Sequence, residues 1–248
     1  GIFNGTSNYI LSSMDKENKS FKEVLQNAQK LGYAESNPTS DLNGDDVAAK
    51  LKILSSLCFN SFLNENIHVE GIKDIDKEDI NYTKRLGYKI KLLGYAELIG
   101  KNIFQRVHPT LIKDSSYVGS IDGVLNAVII EGNPVGQSII QGEGAGPAAT
   151  TSALISDISS ILRGNIKFPF SISNKERKFL NFKDISERSF SAYFRFNVTD
   201  KPGVLSNITQ IFSRNKVSIK RLVQDPNKNK SSSSIIIITH PSKDKSLN

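Results

Sequence analysis

The sequence predicts an α+β protein: a mostly antiparallel sheet with helices on one face, followed by a smaller, truncated βαββ unit. Three observations carry this. Helical periodicity and cap signals dominate the first 86 residues. Four short apolar runs bounded by turn residues follow between 91 and 141. After a basic, irregular stretch, the order strand, helix, strand, strand completes the sequence.

Residues 1–15 read as a turn and then a helix with Ile10, Leu11 and Met14 on one face. Ser20 and Glu23 form a capping box ahead of Phe21, Val24, Leu25, Ala28 and Leu31, and Gly32 is the stop. Residues 33–44 read as a polar loop, 45–59 as a second helix, and 77–86 as a third, capped by Asp76 and ended by Gly87. Strands are expected over 91–98, 103–111, 124–131 and 135–141, with turns at Gly100-Lys101 and Asn133-Pro134. A Gly/Ala/Thr-rich stretch, 142–152, leads into an amphipathic helix over 153–162. Residues 164–190 read as a basic linker whose phenylalanines anchor it. Strands follow at 192–198, 217–224 and 235–239, with a helix at 204–214 and a polar loop over 226–234 in which Ser231–Ser234 is a hairpin loop. The tail is three quarters of a ferredoxin-like βαββαβ unit. The missing last helix and strand, and a first residue that is Gly1 and not Met, lead us to expect a chain cut at both ends.

Composition excludes several classes. Hydrophobic residues make up 38% of the 248, and no apolar run is long enough to span a membrane. One cysteine, Cys58, rules out a disulfide framework; its apolar neighbours Leu54, Leu57 and Phe59 place it in the core. The three histidines have no metal-ligand spacing, and no metal is expected. His108, before Pro109 in a strand, reads as structural. Together these predict a cytoplasmic protein. The net charge of +7 is uneven: residues 1–150 carry 15 Lys+Arg against 18 Asp+Glu, and residues 151–248 carry 17 against 7. The basic residues of the second part are scattered and not interleaved with aromatics, so no nucleic-acid partner is expected.

The chemistry concentrates between Gly32 and Lys50. Asp46 and Lys50 are four apart and share a helix face. Lys50 is also in line with Leu54 and Leu57, so it is expected to point inward, with Lys52 toward water. A lysine on an apolar face needs acidic partners, which Asp46 with Glu35 or Asp41 could supply. From spacing alone, two readings stay open. One is a surface ion pair beside a helix start. The other is a pocket for a small zwitterion, in which carboxylates hold an ammonium and the lysine moves a proton. The Gly142-x-Gly-x-Gly146 run is by itself either a tight turn or a phosphate-approaching loop.

From Ala28 to Lys50 the residues resemble the signature of homoserine dehydrogenases. The matching positions are Ala28, Gly32, Tyr33, Ala34, Asn37, Pro38, Asp41, Leu42, Gly44, Asp46 and Lys50. The opening Gly1–Leu11, Val69-Glu70-Gly71-Ile72, Arg106-Val107-His108-Pro109-Thr110 and Gly142-Glu143-Gly144-Ala145-Gly146 are similar to the same family. The tail resembles an ACT domain. The domains expected are 1–164 (catalytic, substrate and dimerisation), 165–190 (linker) and 191–248 (truncated ACT).

This resemblance implies interconversion of aspartate 4-semialdehyde and homoserine with NADP or NAD, on the route to threonine, isoleucine and methionine. It implies Lys50 as proton donor and Glu35 and Asp46 as substrate ligands, with Asp41, Tyr33, Thr6 and Gly5 lining the pocket. Gly32 and Gly146 are implied to approach the cofactor, which the family binds mainly on an upstream domain absent from this sequence. The 248 residues alone are therefore expected to be inactive. By the same resemblance the protein is a homodimer or higher homo-oligomer. Threonine is implied as an effector near Gly203 and Asn207, against the alternative that the tail only dimerises. The competing functional class is an amino-acid sensor on a scaffold that has lost catalysis.

Overall fold

The computed structural model describes residues 1–63, 67–165, 173–226 and 232–247. They form two compact units, Gly1–Phe182 and Lys183–Asn248.

In the first unit, α1 (Gly5–Glu17) begins at Asn4, whose side chain accepts the Ser7 N–H. Its buried stripe is Ile10, Leu11 and Met14, as the spacing predicts. Both halves of the capping box start α2 (Phe21–Lys30). That helix stops at Gly32, φ +77°, with the Tyr33 N–H bonded to the Ala28 carbonyl. The expected polar loop over 33–44 contains a short helix, α3 (Thr39–Asn43). Tertiary contact creates it: Leu42 is 5% exposed and its carbonyl accepts the Ile72 N–H at 2.8 Å.

Gly44 is at once the last cap of α3 and the first of α4 (Asp45–Phe59). Its φ is +89°, and the Val69 and Val107 methyls lie 3.1 and 3.2 Å from where a Cβ would sit. Gly44→Ala is therefore expected to lose about 1–2 kcal/mol to the left-handed backbone and more to crowding. Gly32→Ala, whose Cβ would enter open space, incurs only the backbone cost. Urea midpoints of the two variants should separate, with Gly44→Ala the lower.

α4 corrects one expectation. The face it buries is Val47, Leu51, Ser55 and Ser56. Of the row expected to face inward, Leu54 packs in part against the core and Lys50 is half-exposed, while Leu57 is 42% and neighbouring Ile53 52% exposed. Cys58 is exposed as well, not core. The helix carries apolar residues on two sides, and only its packing on the sheet selects between them.

After β1 (His68–Val69), α5 (Lys77–Arg85) starts on an Asp76/Asp79 capping box. β2 (Tyr88–Ile99) and β3 (Asn102–Lys113) form an antiparallel hairpin paired from Tyr88↔Lys113 to Ile99↔Asn102. β4 (Leu125–Gly132) and β5 (Gly136–Glu143) form a second antiparallel hairpin. α6 (Pro147–Leu162) begins at Pro147, earlier than expected, because proline at a first helical position extends the helix into the small-residue run. The 164–190 stretch is not wholly irregular: β6 (Asn181–Phe182) and β1 both pair with β3 in parallel. Phe179 is 98% exposed and anchors nothing, and Phe168 and Phe170 lie outside the described residues. α1, α4 and α5 pack on β2, around a core that includes Phe3, Ile10, Met14, Leu51, Ile72 and Leu92.

The first four residues are held in an extended clamp. Ile2 exchanges two 2.8 Å hydrogen bonds with Ala127, and the Gly94 N–H reaches the Gly1 carbonyl at 3.0 Å. Phe3 packs over Gly94, where any Cβ would lie 2.7 Å from its ring. This sets the direction of the Phe3 carbonyl and of Asn4.

In the second unit, β7 (Ser189–Phe190) precedes β8 (Tyr193–Thr199), α7 (Val204–Arg214), β9 (Ile219–Pro226) and β10 (Ser232–Thr239); β11 (Ser242–Lys243) pairs with β7. The sheet order β8-β10-β9 puts β10 antiparallel to both neighbours, the split βαβ of a ferredoxin-like unit. Phe194 meets Phe212 edge-on at 5.4 Å, against Ile235 and Ile237. Ser232–Ser234 are strand, not loop, and Ser231 lies outside the described residues. Pairing on both sides, with Ser234 against Asn197 and Asp225, overrides the turn preference of serine.

Candidate active site

The clamp and the α3–α4 junction bring four side chains together. Lys50 Nζ donates to Asp46 Oδ2 at 2.8 Å and to the Phe3 carbonyl at 3.0 Å. Asn4 Nδ2 donates to Asp46 Oδ2 at 2.9 Å and to Asp41 Oδ1 at 2.7 Å. Asp46 is in the first turn of α4, where the helix dipole favours a carboxylate. Lys50 is 45% exposed and lines a cleft of about 410 Å³ with Phe3, Leu54, Asn126, Gly142 and Gly144. Thr6 Oγ donates to the Tyr33 carbonyl at 2.7 Å, tying α1 to the loop after α2, and the Tyr9 and Tyr33 rings touch with centroids 4.9 Å apart.

The other expected residues divide. The Glu35 side chain is exposed and joins no ion pair among the described residues; Gln29 Nε2 holds its backbone carbonyl at 3.1 Å. Gly5 is set by packing, since a Cβ would lie 2.9 Å from the Val124 carbonyl. Gly32 serves as the helix stop. Gly146, φ +107°, opens α6, which has no side-chain cap. Asn126 Oδ1 is buried and without a partner, and a Cβ on Gly144 would strike its amide at 1.9 Å. Gly203 lines a separate cleft of about 440 Å³ with Asp200, Lys201 and Gln224. Asn207 is exposed one turn further along α7 and does not line it.

Sequence reasoning missed a second lysine site. Lys91, expected to open a strand, lies inside β2 and is 1% exposed. Its Nζ donates to Asn8 Oδ1, the Ile121 carbonyl and Asp122 Oδ1 at 2.9, 2.6 and 2.8 Å. The signal was a charge inside an otherwise apolar run. Burial pushes the Lys91 ammonium down despite the Asp122 charge. Burial would also raise the Asp122 carboxyl, but hydrogen bonds and charge from Lys91, then Lys16 and Lys89, hold it down at about 2. An acid depressed in the fold stabilises it above its ordinary value near 4, and that stability is lost as pH falls through about 2. The urea midpoint should therefore drop between about pH 4 and pH 2, and less steeply in Asp122→Asn. His108 is half-buried with its Nδ1 enclosed, and desolvation, with Arg106 and His68 adding to it, lowers its imidazole to about 3.

The model of the homoserine dehydrogenase family matches residues 1–159, and the model of the AHAS small subunit-like ACT domain matches 194–247. The chain belongs to the homoserine dehydrogenase family. Over all of its length it is 38% identical to a homoserine dehydrogenase of Neisseria gonorrhoeae and 40% identical to one of Helicobacter pylori, covering 58% of each. A solved homoserine dehydrogenase from Thiobacillus denitrificans superposes with a TM-score of 0.89 at 37% identity, over 99% of this chain and 57% of the other. The chain thus spans under three fifths of the length of these relatives. Within the family signature, the structure separates two kinds of residue. Ala28, Leu42, Gly32 and Gly44 serve packing and backbone geometry. Lys50 lines the cleft, and Asp46 and Asp41 stand behind it, joined to it through the Asp46–Lys50 pair and the Asn4 amide.

No helix among the described residues is long and apolar enough to cross a membrane.

Proposed function

We propose that this chain forms the substrate-binding part of a homoserine dehydrogenase, interconverting aspartate 4-semialdehyde and homoserine with NADP or NAD. The observation that carries the reading is the Lys50–Asp46 pair, held on the rim of an open cleft by the Phe3 carbonyl and Asn4. Two of the three Lys50 N–H groups are engaged, which leaves one for a substrate oxygen. Lys50 gives that proton to the aldehyde oxygen in reduction and takes it back in oxidation. Asp46 fixes the direction of the ammonium. Asp41 and Asp46, with Glu35 brought in from its loop, bind the substrate ammonium, while Thr6, Tyr33 and Gly5 shape the pocket wall.

The nicotinamide cofactor supplies the hydride. Residues on the cleft fit such a group, namely the unpartnered Asn126 Oδ1 and the side-chain-free backbone at Gly142 and Gly144, and the uncapped start of α6 follows them in the chain after Gly146. Gly32 is a further close-approach point. Exposed Val135 and Ile140 on the β4–β5 hairpin, 75% and 67% accessible, support a homodimer or larger assembly. The cleft beside Gly203 supports threonine as effector, with Asn207 nearby on α7. The lone cysteine fits the cytoplasm.

The experiment is NADPH oxidation with aspartate 4-semialdehyde, and the reverse reaction with homoserine, by the protein encoded in the complete reading frame. Turnover in both directions supports the reading. Turnover of neither substrate with NADPH or NADH overturns it.

A further inference from the structure

We infer that Asn4 is a positioning residue that sets the spacing of Asp41 and Asp46 and so aligns Lys50 with the substrate. This inference rests on reading those two carboxylates as substrate ligands. Asn4 is 5% exposed and every polar atom of its side chain is used. Oδ1 accepts the Ser7 N–H at 2.8 Å, and a backbone N–H can only donate, so the amide cannot be turned the other way. The NH₂ end therefore faces the acids, one N–H to Asp41 Oδ1 at 2.7 Å and one to Asp46 Oδ2 at 2.9 Å.

Two carboxylates brought side by side repel each other. A neutral group with two forked donors holds them together without cancelling their charge. A lysine or arginine in this place would also hold them, but would compete with an incoming ammonium. Asp46 Oδ2 is gripped from two sides, by Asn4 and by Lys50 at 2.8 Å. Among the described residues the second oxygens, Asp46 Oδ1 and Asp41 Oδ2, take no hydrogen bond, so each acid keeps one oxygen for the ligand. The amide also caps α1, so the helix start and the acid spacing depend on one side chain.

The test separates the cap from the bridge. Asn4→Asp and Asn4→Ser both keep a good N-cap and lose both donors to the acids. Asn4→Asp adds a third carboxylate, and Asn4→Ser adds none. In the protein from the complete reading frame, KM for homoserine should rise roughly 10- to 100-fold in both, in keeping with loss of hydrogen bonds to charged groups. The acid limb of the kcat/KM profile should move to higher pH in both, because the acids lose their donors, and further in Asn4→Asp, which adds a like charge beside them. A cap alone predicts unchanged KM and an unchanged pH profile in Asn4→Ser, and that result overturns the inference.

A second readout does not need activity. By ¹⁵N NMR, the two Asn4 side-chain N–H protons should be resolved, protected from exchange, and shifted in Asp41→Asn. Signals that exchange freely and ignore Asp41→Asn overturn the bridge even in an active enzyme. Protected signals in a protein that turns over no homoserine keep the bridge and overturn the functional reading.

Discussion

Lys50→Ala is expected to lower kcat by about 10²- to 10⁴-fold, the worth of a positioned general acid, while leaving the fold intact. The two halves of that expectation come from the same geometry. Lys50 is 45% exposed and its ion pair with Asp46 is an i,i+4 contact open to solvent. Such pairs are worth about 0–1 kcal/mol, so the urea midpoint should barely move. The chemistry depends on the remaining N–H, aimed by the Phe3 carbonyl and Asp46 Oδ2. Lys50→Arg makes the test sharper. Arginine keeps the charge and the Asp46 contact but does not release a proton at accessible pH. It should be close to as inactive as alanine in stopped-flow measurement of NADPH oxidation. Near-native turnover by Lys50→Arg would show that Lys50 acts by charge alone.

Lys91→Met is expected to do the opposite. Lys91 is 1% exposed and makes three hydrogen bonds, to Asn8, Ile121 and Asp122. Removing one member of a buried charged cluster costs about 3–5 kcal/mol, because the partners stay buried and unpaired. At about 2–4 °C per kcal/mol for a unit of this size, Tm should fall by roughly 6–20 °C. Asp122 retains Lys16 and Lys89 at 3.1 and 3.2 Å, and the Ile121 carbonyl keeps the Asn8 amide at 3.1 Å, so most of the loss falls on Asn8 Oδ1. Adding Asn8→Leu should lower Tm further and not rescue it, because the Asn8 amide also donates to the Ile121 and Leu125 carbonyls. A Tm within 2–3 °C of the parent for Lys91→Met alone would mean that water replaces the ammonium. The two lysines form a contrast measurable in one set of variants: Lys50 sustains turnover, Lys91 sustains the fold.

Much of the fold was legible because it is written in local chemistry. The Ser20/Glu23 and Asp76 caps, the stop at Gly32, the Gly100-Lys101 turn and the apolar runs of both hairpins act over a few residues. The strand–helix–strand–strand order of the tail was read in the same way. So was the chemical pairing of Asp46 with Lys50, a matter of helix periodicity.

What failed was decided between distant segments. α4 is apolar on two sides, and its phase on the sheet follows from Val47 and Leu51 meeting β2, which no local pattern encodes. Lys50, Leu57 and Cys58 thus face outward where inward was expected. Ser232–Ser234 are strand because both neighbours pair with them. Lys91 looked like the polar edge of a strand because its partners, Asn8, Ile121 and Asp122, are 83, 30 and 31 residues away. Asn4 looked like a turn residue for the same reason, being 37 and 42 residues from the acids it bridges. By itself the sequence determined the order of the main helices and hairpins, the acid–lysine pair and the family signature. The tertiary structure decided which face of α4 opens on the cleft, which lysine is buried, and that a capping asparagine reaches two carboxylates. These depend on the long-range closure of the chain, where burial makes every polar atom find a partner or carry the cost of lacking one.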